Sequence, residues 1–222
     1  PDPQRMFVSC FGPKHHPFNN VLADMALEPE AIQVNLDGQR WVDEALHLHG
    51  MTPCISRQPK EISWAIGSRD NWAAIADKFL NNPAMAKRRW QFETWEADLE
   101  EESKLDTPVK KANTLEELAT LCGMDAQALT DTVTRYNQFC AKGLDEDFGK
   151  AAKYLVPIEG GPYYAIPRGS NKLPAILGGL VVDSNHQCLN GEFEPISGLY
   201  AVGNASGQFF GGVDYPMDIE GL

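Results

Sequence analysis

The segment best suited to holding a ligand is Gly198-Leu199-Tyr200-Ala201-Val202-Gly203-Asn204-Ala205-Ser206-Gly207. A β-type run enters a turn built of Gly, Asn, Ala and Ser, so little or no side chain stands between the backbone amides and an approaching group. A phosphate or a sugar can sit on such a turn. The same residues also make a tight strand-to-loop turn with no ligand. Gly160-Gly161, Gly178-Gly179 and Gly211-Gly212 do not complete the G-x-G-x-x-G spacing that places a pyrophosphate on a helix N-terminus. No P-loop and no G-x-S-x-G is present either. The residues alone do not spell a complete active site.

Metal chemistry is not indicated. Cys10, Cys54, Cys122, Cys140 and Cys188 are scattered, odd in number and contain no C-x-x-C, so they read as free thiols. His15-His16 sit between prolines, and His47 and His49 flank Leu48. Neither set has the H-x-x-x-H spacing that puts two imidazoles on one helix face.

Composition narrows the partners. With 19 Lys+Arg against 31 Asp+Glu, the net charge is −12, which disfavours nucleic acid and an anionic membrane surface. Hydrophobic residues make up 43% of the chain, which is ordinary for a globular protein of 222 residues. No run approaches the roughly 18 apolar residues of a membrane span, and Pro1 rather than Met opens the chain. It reads as a piece excised from a longer protein, and its compartment is left open.

The elements that must position the turn fall into three stretches. The first 30 residues, rich in Pro, Gly, Asn and His with one apolar run at Met6-Phe7-Val8, read as irregular. A hairpin is expected over residues 31–44, turning at Asp37-Gly38. From Ser68 to about Leu105 the pattern is helical, with Trp72, Ile75, Ala76, Phe79 and Leu80 on one face and Pro83 in the first turn of a second helix. Thr114 and Glu117 form a capping box for a helix that stops at Gly123. Asp125 caps the next, which ends at Gly143. Beyond Pro157 short β-type runs return at residues 163–166, 179–183 and 198–202, with a turn at Asn190-Gly191. The fold class is α+β, a helical stretch inserted between β-rich ends.

Four collinear segments carry a resemblance. Pro195-Ile196-Ser197-Gly198-Leu199-Tyr200-Ala201-Val202-Gly203-Asn204 resembles the second FAD-contacting segment of the fumarate reductase/succinate dehydrogenase flavoprotein family, P-I-P-G-L-Y-A-A-G-E. Leu177-Gly178-Gly179-Leu180-Val181-Val182-Asp183 resembles its M-G-G-L-x-I-D strand. Residues 34–44 are similar to its V-N-x-x-G-x-R-F-x-N-E entry into a capping domain. Residues 114–149 with Pro162-Tyr163-Tyr164-Ala165 are similar to the later helices and return strand of that domain.

The resemblance implies FAD as cofactor, contacted by Gly178, Gly179, Gly203 and Asn204. It implies residues 1–30 and 168–222 as parts of an incomplete FAD-binding domain, with 31–167 as a capping domain holding the substrate. The G-x-G-x-x-G half would precede Pro1, and a helix with its N-terminus towards the flavin would follow Leu222. The implied reaction is reduction of an activated C=C bond by hydride from flavin, with a small-molecule substrate, a separate electron donor compatible, and the piece itself silent.

The departures direct the substrate. Leu48 stands where soluble fumarate reductases carry their proton-donating Arg. Leu173-Pro174-Ala175 lack the family's substrate-binding His, which points away from a C4-dicarboxylate needing cationic clamps. Asp214-Tyr215-Pro216 more closely resembles the 3-ketosteroid dehydrogenase branch, which makes Tyr215 the catalytic acid that polarises a carbonyl. Arg168 is the candidate for an anionic substrate group, whereas Arg40 reads as an ion-pair residue. The alternatives are a steroid-type dehydrogenase and a non-catalytic ligand-binding or interaction module.

Overall fold

The computed structural model describes residues 6–9, 20–46, 51, 54–87, 89–104, 109–169, 172–176 and 179–206. They fall into two compact units, one of residues 10–170 and one joining residues 1–9 to residues 171–222.

The larger unit is built on an antiparallel sheet in the order β2-β3-β5-β4. Its strands are β2 (Ile32–Asn35), β3 (Ile62–Ser68), β4 (Lys110–Ala112) and β5 (Tyr163–Gly169). Central β3 is buried along most of its length, so it lacks the polar–apolar alternation that would mark a strand in the sequence. Helices cover both faces. On one, Ala65, Tyr164 and Ile166 pack against Leu22 and Met25 of α1 (Asn20–Met25) and Trp72 and Ile75 of α2 (Arg69–Asn81). Phe92 of the single turn α3 (Arg89–Phe92) and Leu99 of α4 (Trp95–Lys104) complete that layer. On the other, Ile32, Val34, Ile66 and Ala165 meet Leu118 of α5 (Leu115–Cys122) and Leu129, Val133 and Tyr136 of α6 (Ala126–Lys142).

Helix starts and stops follow local chemistry. Thr114 Oγ1 accepts the Glu117 amide at 3.2 Å, while the Glu117 carboxylate takes the amide of Asn113, one residue earlier than a reciprocal box requires. Asp125 caps α6 through the Ala128 amide at 2.8 Å. Gly123 and Gly143 end their helices at φ +72° and +68°, left-handed values that glycine adopts without strain. The stretch after Ser68 is not one long helix. Asn82 caps a 3-10 turn at Pro83–Met85, with Pro83 in its first turn, before α3 and α4 begin.

Three expectations are corrected. The N-terminal residues are not wholly irregular. Met6–Ser9 form β1, whose partner is β6 (Lys172–Ile176), too distant in sequence for any local pattern to show, and α1 is only six residues long. The hairpin over 31–44 reduces to one bridge, Val34 to Arg40, and β2 pairs instead with β3. Asn35 Oδ1 accepts the amides of Asp37 and Gln39, both at 3.0 Å, and ion pairs draw the chain from Arg40 onward away from β2. Residues 179–183 make only single bridges, Leu180 to Ser206 and Val182 to Cys188.

Those ion pairs are buried. Arg40 Nε and Nη2 donate to the two Glu44 oxygens at 2.7 and 2.8 Å, and Nη2 also reaches Asp145 Oδ2 at 2.7 Å. Lys150 Nζ lies 3.1 Å from Glu44 Oε2 and donates to the Tyr136 hydroxyl at 3.2 Å. The Arg40 guanidinium stands over the rings of Tyr136 and Phe148. Gly38, at φ +74°, lies so close to α6 that a Cβ there would come within 2.9 Å of Ala128 Cβ.

The smaller unit contains the β1–β6 pair and a hairpin of β7 (Gln187–Leu189) and β8 (Pro195–Tyr200) turning at Asn190. β8 thus begins three residues before the expected run at 198–202. Val182, Cys188 and Ala201 form its small core.

Burial raises the Asp145 pKa, but the Arg40 hydrogen bond and charge and the amides of Lys150 and Asp147 outweigh it, holding the carboxyl at about 2. A carboxyl depressed from an ordinary 3.8 stabilises the fold above pH 4, and that stability is lost as pH falls from about 4 to 2. An acid titration followed by circular dichroism is expected to show this loss, and Asp145→Asn to remove it. Arg40→Ala, which leaves two buried carboxylates with one cation, is expected to cost about 3–5 kcal/mol in urea unfolding.

Candidate functional site

In the smaller unit, β8 leads through Ala201 and Val202 into a 3-10 turn at Gly203–Ala205. Gly203 has φ +58°, and an ideal Cβ built on it would meet no atom of the described residues within 4 Å. The backbone there faces open space, so a ligand can approach it closely. Gly179, which is exposed, precedes Leu180, whose amide donates to the Ala205 carbonyl at 2.9 Å. The structure therefore brings Gly179 and the Gly203–Asn204 turn side by side, although they lie more than 20 residues apart in sequence. Ala201, Ala205 and Ser206 keep the surroundings small. Gly178 and Tyr215 lie outside the described residues, as do His15, His16, His47, His49, Leu48 and Asp214.

Arg168 lies in the larger unit, near the end of β5 opposite Ser63 of β3, and is only 2% exposed. Its Nη1 donates to Met51 Sδ at 2.7 Å. Around it runs a buried polar chain that the sequence reading did not find. Trp41 Nε1 donates to Ser63 Oγ at 3.0 Å, Ser63 Oγ donates to Gln33 Oε1 at 3.0 Å, and Gln33 Nε2 donates to the Ala26 carbonyl at 3.1 Å. Asn35 Nδ2 donates to Gln58 Oε1 at 3.1 Å on the same side of the sheet. The only sequence trace of this corner is polar residues at alternate positions of β2, Gln33 and Asn35. Arg40, by contrast, gives its Nε and Nη2 to Glu44 and Asp145 and serves the fold, while its Nη1 is buried with no hydrogen-bond partner among the described residues.

Burial pushes the Cys122 thiol up to about 12 and raises that of Cys140 too, which makes both poor nucleophiles. Among the described residues no group of three or more His, Cys, Asp or Glu could hold a metal ion, and no helix is long and apolar enough to cross a membrane.

Comparison with known proteins gives this geometry a context. The model of a family described as FAD binding domain matches residues 3–215. The chain is 31% identical over 174 residues to a vinyl phenol reductase of Lactiplantibacillus plantarum, covering 77% of this chain and 35% of that protein. It is 30% identical over 190 residues to a urocanate reductase of Eggerthella lenta, covering 86% of this chain and 28% of that protein. The solved 3-ketosteroid-Δ4-(5α)-dehydrogenase of Rhodococcus jostii, in complex with 4-androstene-3,17-dione, superposes on 82% of this chain and 34% of its own, with a TM-score of 0.60 at 27% identity. The chain thus spans about a third of the length of these relatives.

The polar chain gives its own prediction. Ser63→Ala leaves the half-buried Trp41 indole N–H and the buried Gln33 side-chain oxygen without their partner, which is expected to cost about 1–3 kcal/mol. The check is a lowered urea midpoint at unchanged slope, followed by tryptophan fluorescence.

Proposed function

The chain belongs to the FAD binding domain family, and from that premise we propose that it contributes FAD contacts and a substrate-holding cap to an oxidoreductase acting on an activated carbon–carbon double bond. The match across residues 3–215 carries this reading, and the reductases and dehydrogenases among its relatives support the bond type. Residues 31–167 are read as the capping domain, with residues 1–30 and 168–222 on the FAD side.

The residues present fit the cofactor. A glycine at φ +58° with open space before it, beside a second exposed glycine, suits close approach of a pyrophosphate or ribose to the backbone. Gly203, Asn204, Gly178 and Gly179 would hold it. Bound flavin supplies two-electron exchange at the hydride level.

The chain's own residues do the rest. Tyr215 holds a proton at its hydroxyl and donates to the substrate carbonyl oxygen as negative charge develops there. Arg168 receives a substrate carboxylate, an event that requires Met51 to leave the guanidinium. The 222 residues contain no G-x-G-x-x-G turn, and by themselves they are not expected to turn over substrate. The Tyr215-Pro216 pair and the steroid dehydrogenase likeness favour a second reading, oxidation of a cyclic ketone in the reverse direction. A separate electron donor fits the first direction.

The test is a visible spectrum of the protein carrying these residues. Flavin bands bleached by dithionite and restored by an enoate support the reductase. Restoration only by a steroid dienone supports the second reading. A colourless protein that FAD cannot reconstitute leaves a non-catalytic binding module. Gly203→Asn, a side chain that tolerates positive φ, is expected to lose flavin with the fold retained. Tyr215→Phe should lower turnover about 10²-fold or more with flavin retained. Arg168→Met is expected to raise KM for anionic enoates while leaving neutral enones unchanged.

A further inference from the structure

What borders Arg168 in the larger unit is apolar. The register sets Asn35 opposite Ser63 and Ser63 opposite Arg168, and residues paired across neighbouring strands share a face. On that face Met51 Sδ takes the Arg168 Nη1 donor at 2.7 Å. Met51 in turn belongs to a cluster with Val42 and Ile55, against which Leu27 and Trp41 pack. Val42, Met51 and Ile55 are buried, whereas Leu27 and Trp41 are half-buried and bound the cluster where solvent reaches it. A guanidinium thus stands at the edge of a cluster whose members bring no second charge.

Two members of the cluster differ in how firmly they are held. Trp41 is tethered at its nitrogen, which donates to Ser63 Oγ at 3.0 Å, and Ser63 Oγ donates onward to Gln33 Oε1 at 3.0 Å. A tethered indole loses little freedom when a ligand packs against it. Met51 is the adaptable one, an unbranched side chain joined to Arg168 through a thioether, which is a weak acceptor. A group that displaces its sulfur from the guanidinium therefore brings its neighbouring atoms among Val42, Ile55, Leu27 and Trp41.

Resting on the reading of Arg168 as the receiver of a substrate carboxylate, we infer that the substrate is an aryl-substituted unsaturated monocarboxylic acid and that Trp41 selects the ring. The carboxylate takes the Nη1 donor, and the ring takes the place of the Met51 thioether against the indole. Aromatic rings gain from such packing beyond the area they bury. The charge count separates this class from its neighbours. A dicarboxylate would put its second charge among Val42, Ile55 and Leu27, where nothing in the cluster neutralises it. A short aliphatic enoate would reach Arg168 but leave Trp41 uncovered, and a neutral aryl enone would cover Trp41 without repaying the loss of the Arg168–Met51 contact.

The test is titration calorimetry of the FAD-loaded protein carrying these residues, with cinnamate, crotonate and benzylideneacetone as ligands and circular dichroism confirming that each variant is folded. Cinnamate is expected to bind about tenfold or more tighter than crotonate. Trp41→Leu should remove that preference, lowering the affinity for cinnamate about tenfold and for crotonate far less, whereas Trp41→Phe should keep most of it. Met51→Ala, which frees the guanidinium in advance, should tighten both acids. Cinnamate binding no better than crotonate overturns the proposal, and so does a Trp41→Leu variant that weakens both acids equally. In either case a preference for the acids over benzylideneacetone leaves the carboxylate role of Arg168 standing. Benzylideneacetone binding as tightly as cinnamate overturns that role itself.

Discussion

The larger unit depends on one buried ionic cluster, two cations, two carboxylates and a tyrosine hydroxyl brought together from three parts of the chain. Arg40 and Glu44 come from the turn after β2, Asp145 and Lys150 from the loop after α6, and Tyr136 from α6 itself. Removing four charges from water is expensive, and their mutual attraction repays that only when each has its hydrogen bonds. Here Glu44 also accepts the Gln33 amide at 3.0 Å, and Asp145 accepts the amides of Asp147, Phe148 and Lys150. Burial alone drives Lys150 towards its neutral form, and the Glu44 carboxylate opposes it. Removing any one member leaves a charge that nothing nearby can neutralise.

That constraint explains why the chain departs from β2. A two-residue Asp-Gly turn usually returns the chain as a hairpin. Arg40 can reach Glu44 and Asp145 only if residues 41–46 curl back beneath the turn, so the hairpin stops after one bridge. On that edge of β2 Glu44 Oε1 accepts the Gln33 amide at 3.0 Å, while β3 pairs along the opposite edge. Gly38 completes the arrangement, since its missing Cβ lets Leu129 and Ala128 of α6 close against the turn, and Thr132 Oγ1 donates to its carbonyl at 2.7 Å.

What the sequence discloses follows the range of each interaction. The caps at Thr114 and Asp125 and the stops at Gly123 and Gly143 are settled within four residues, and they are legible as such. The α+β composition and the turn at Asn190 are legible for the same reason. β1 and β3 are not, because one owes its existence to a partner far along the chain and the other is buried on both faces. The site divides in the same way. A glycine with positive φ at residue 203 leaves a trace in its own turn. The surroundings of Arg168 are assembled from Met51, Ser63, Trp41 and Gln33, whose convergence only the sheet register creates.

The position of Arg168 bears on what the proposed site would admit. Its guanidinium lies under a thioether, a weak acceptor that takes up one donor without supplying charge. A carboxylate replacing that sulfur would gain a charge-assisted hydrogen bond in a place from which water is excluded, where such a bond is about twice as strong as a neutral one. It would first have to shed its own hydration, which a neutral carbonyl sheds more cheaply. A substrate whose carboxylate is aligned with the guanidinium recovers its desolvation cost, and a misaligned anion does not. A neutral enone gains nothing from displacing Met51. On this reading, Met51 is one of the contacts that an aligned carboxylate would have to displace at Arg168.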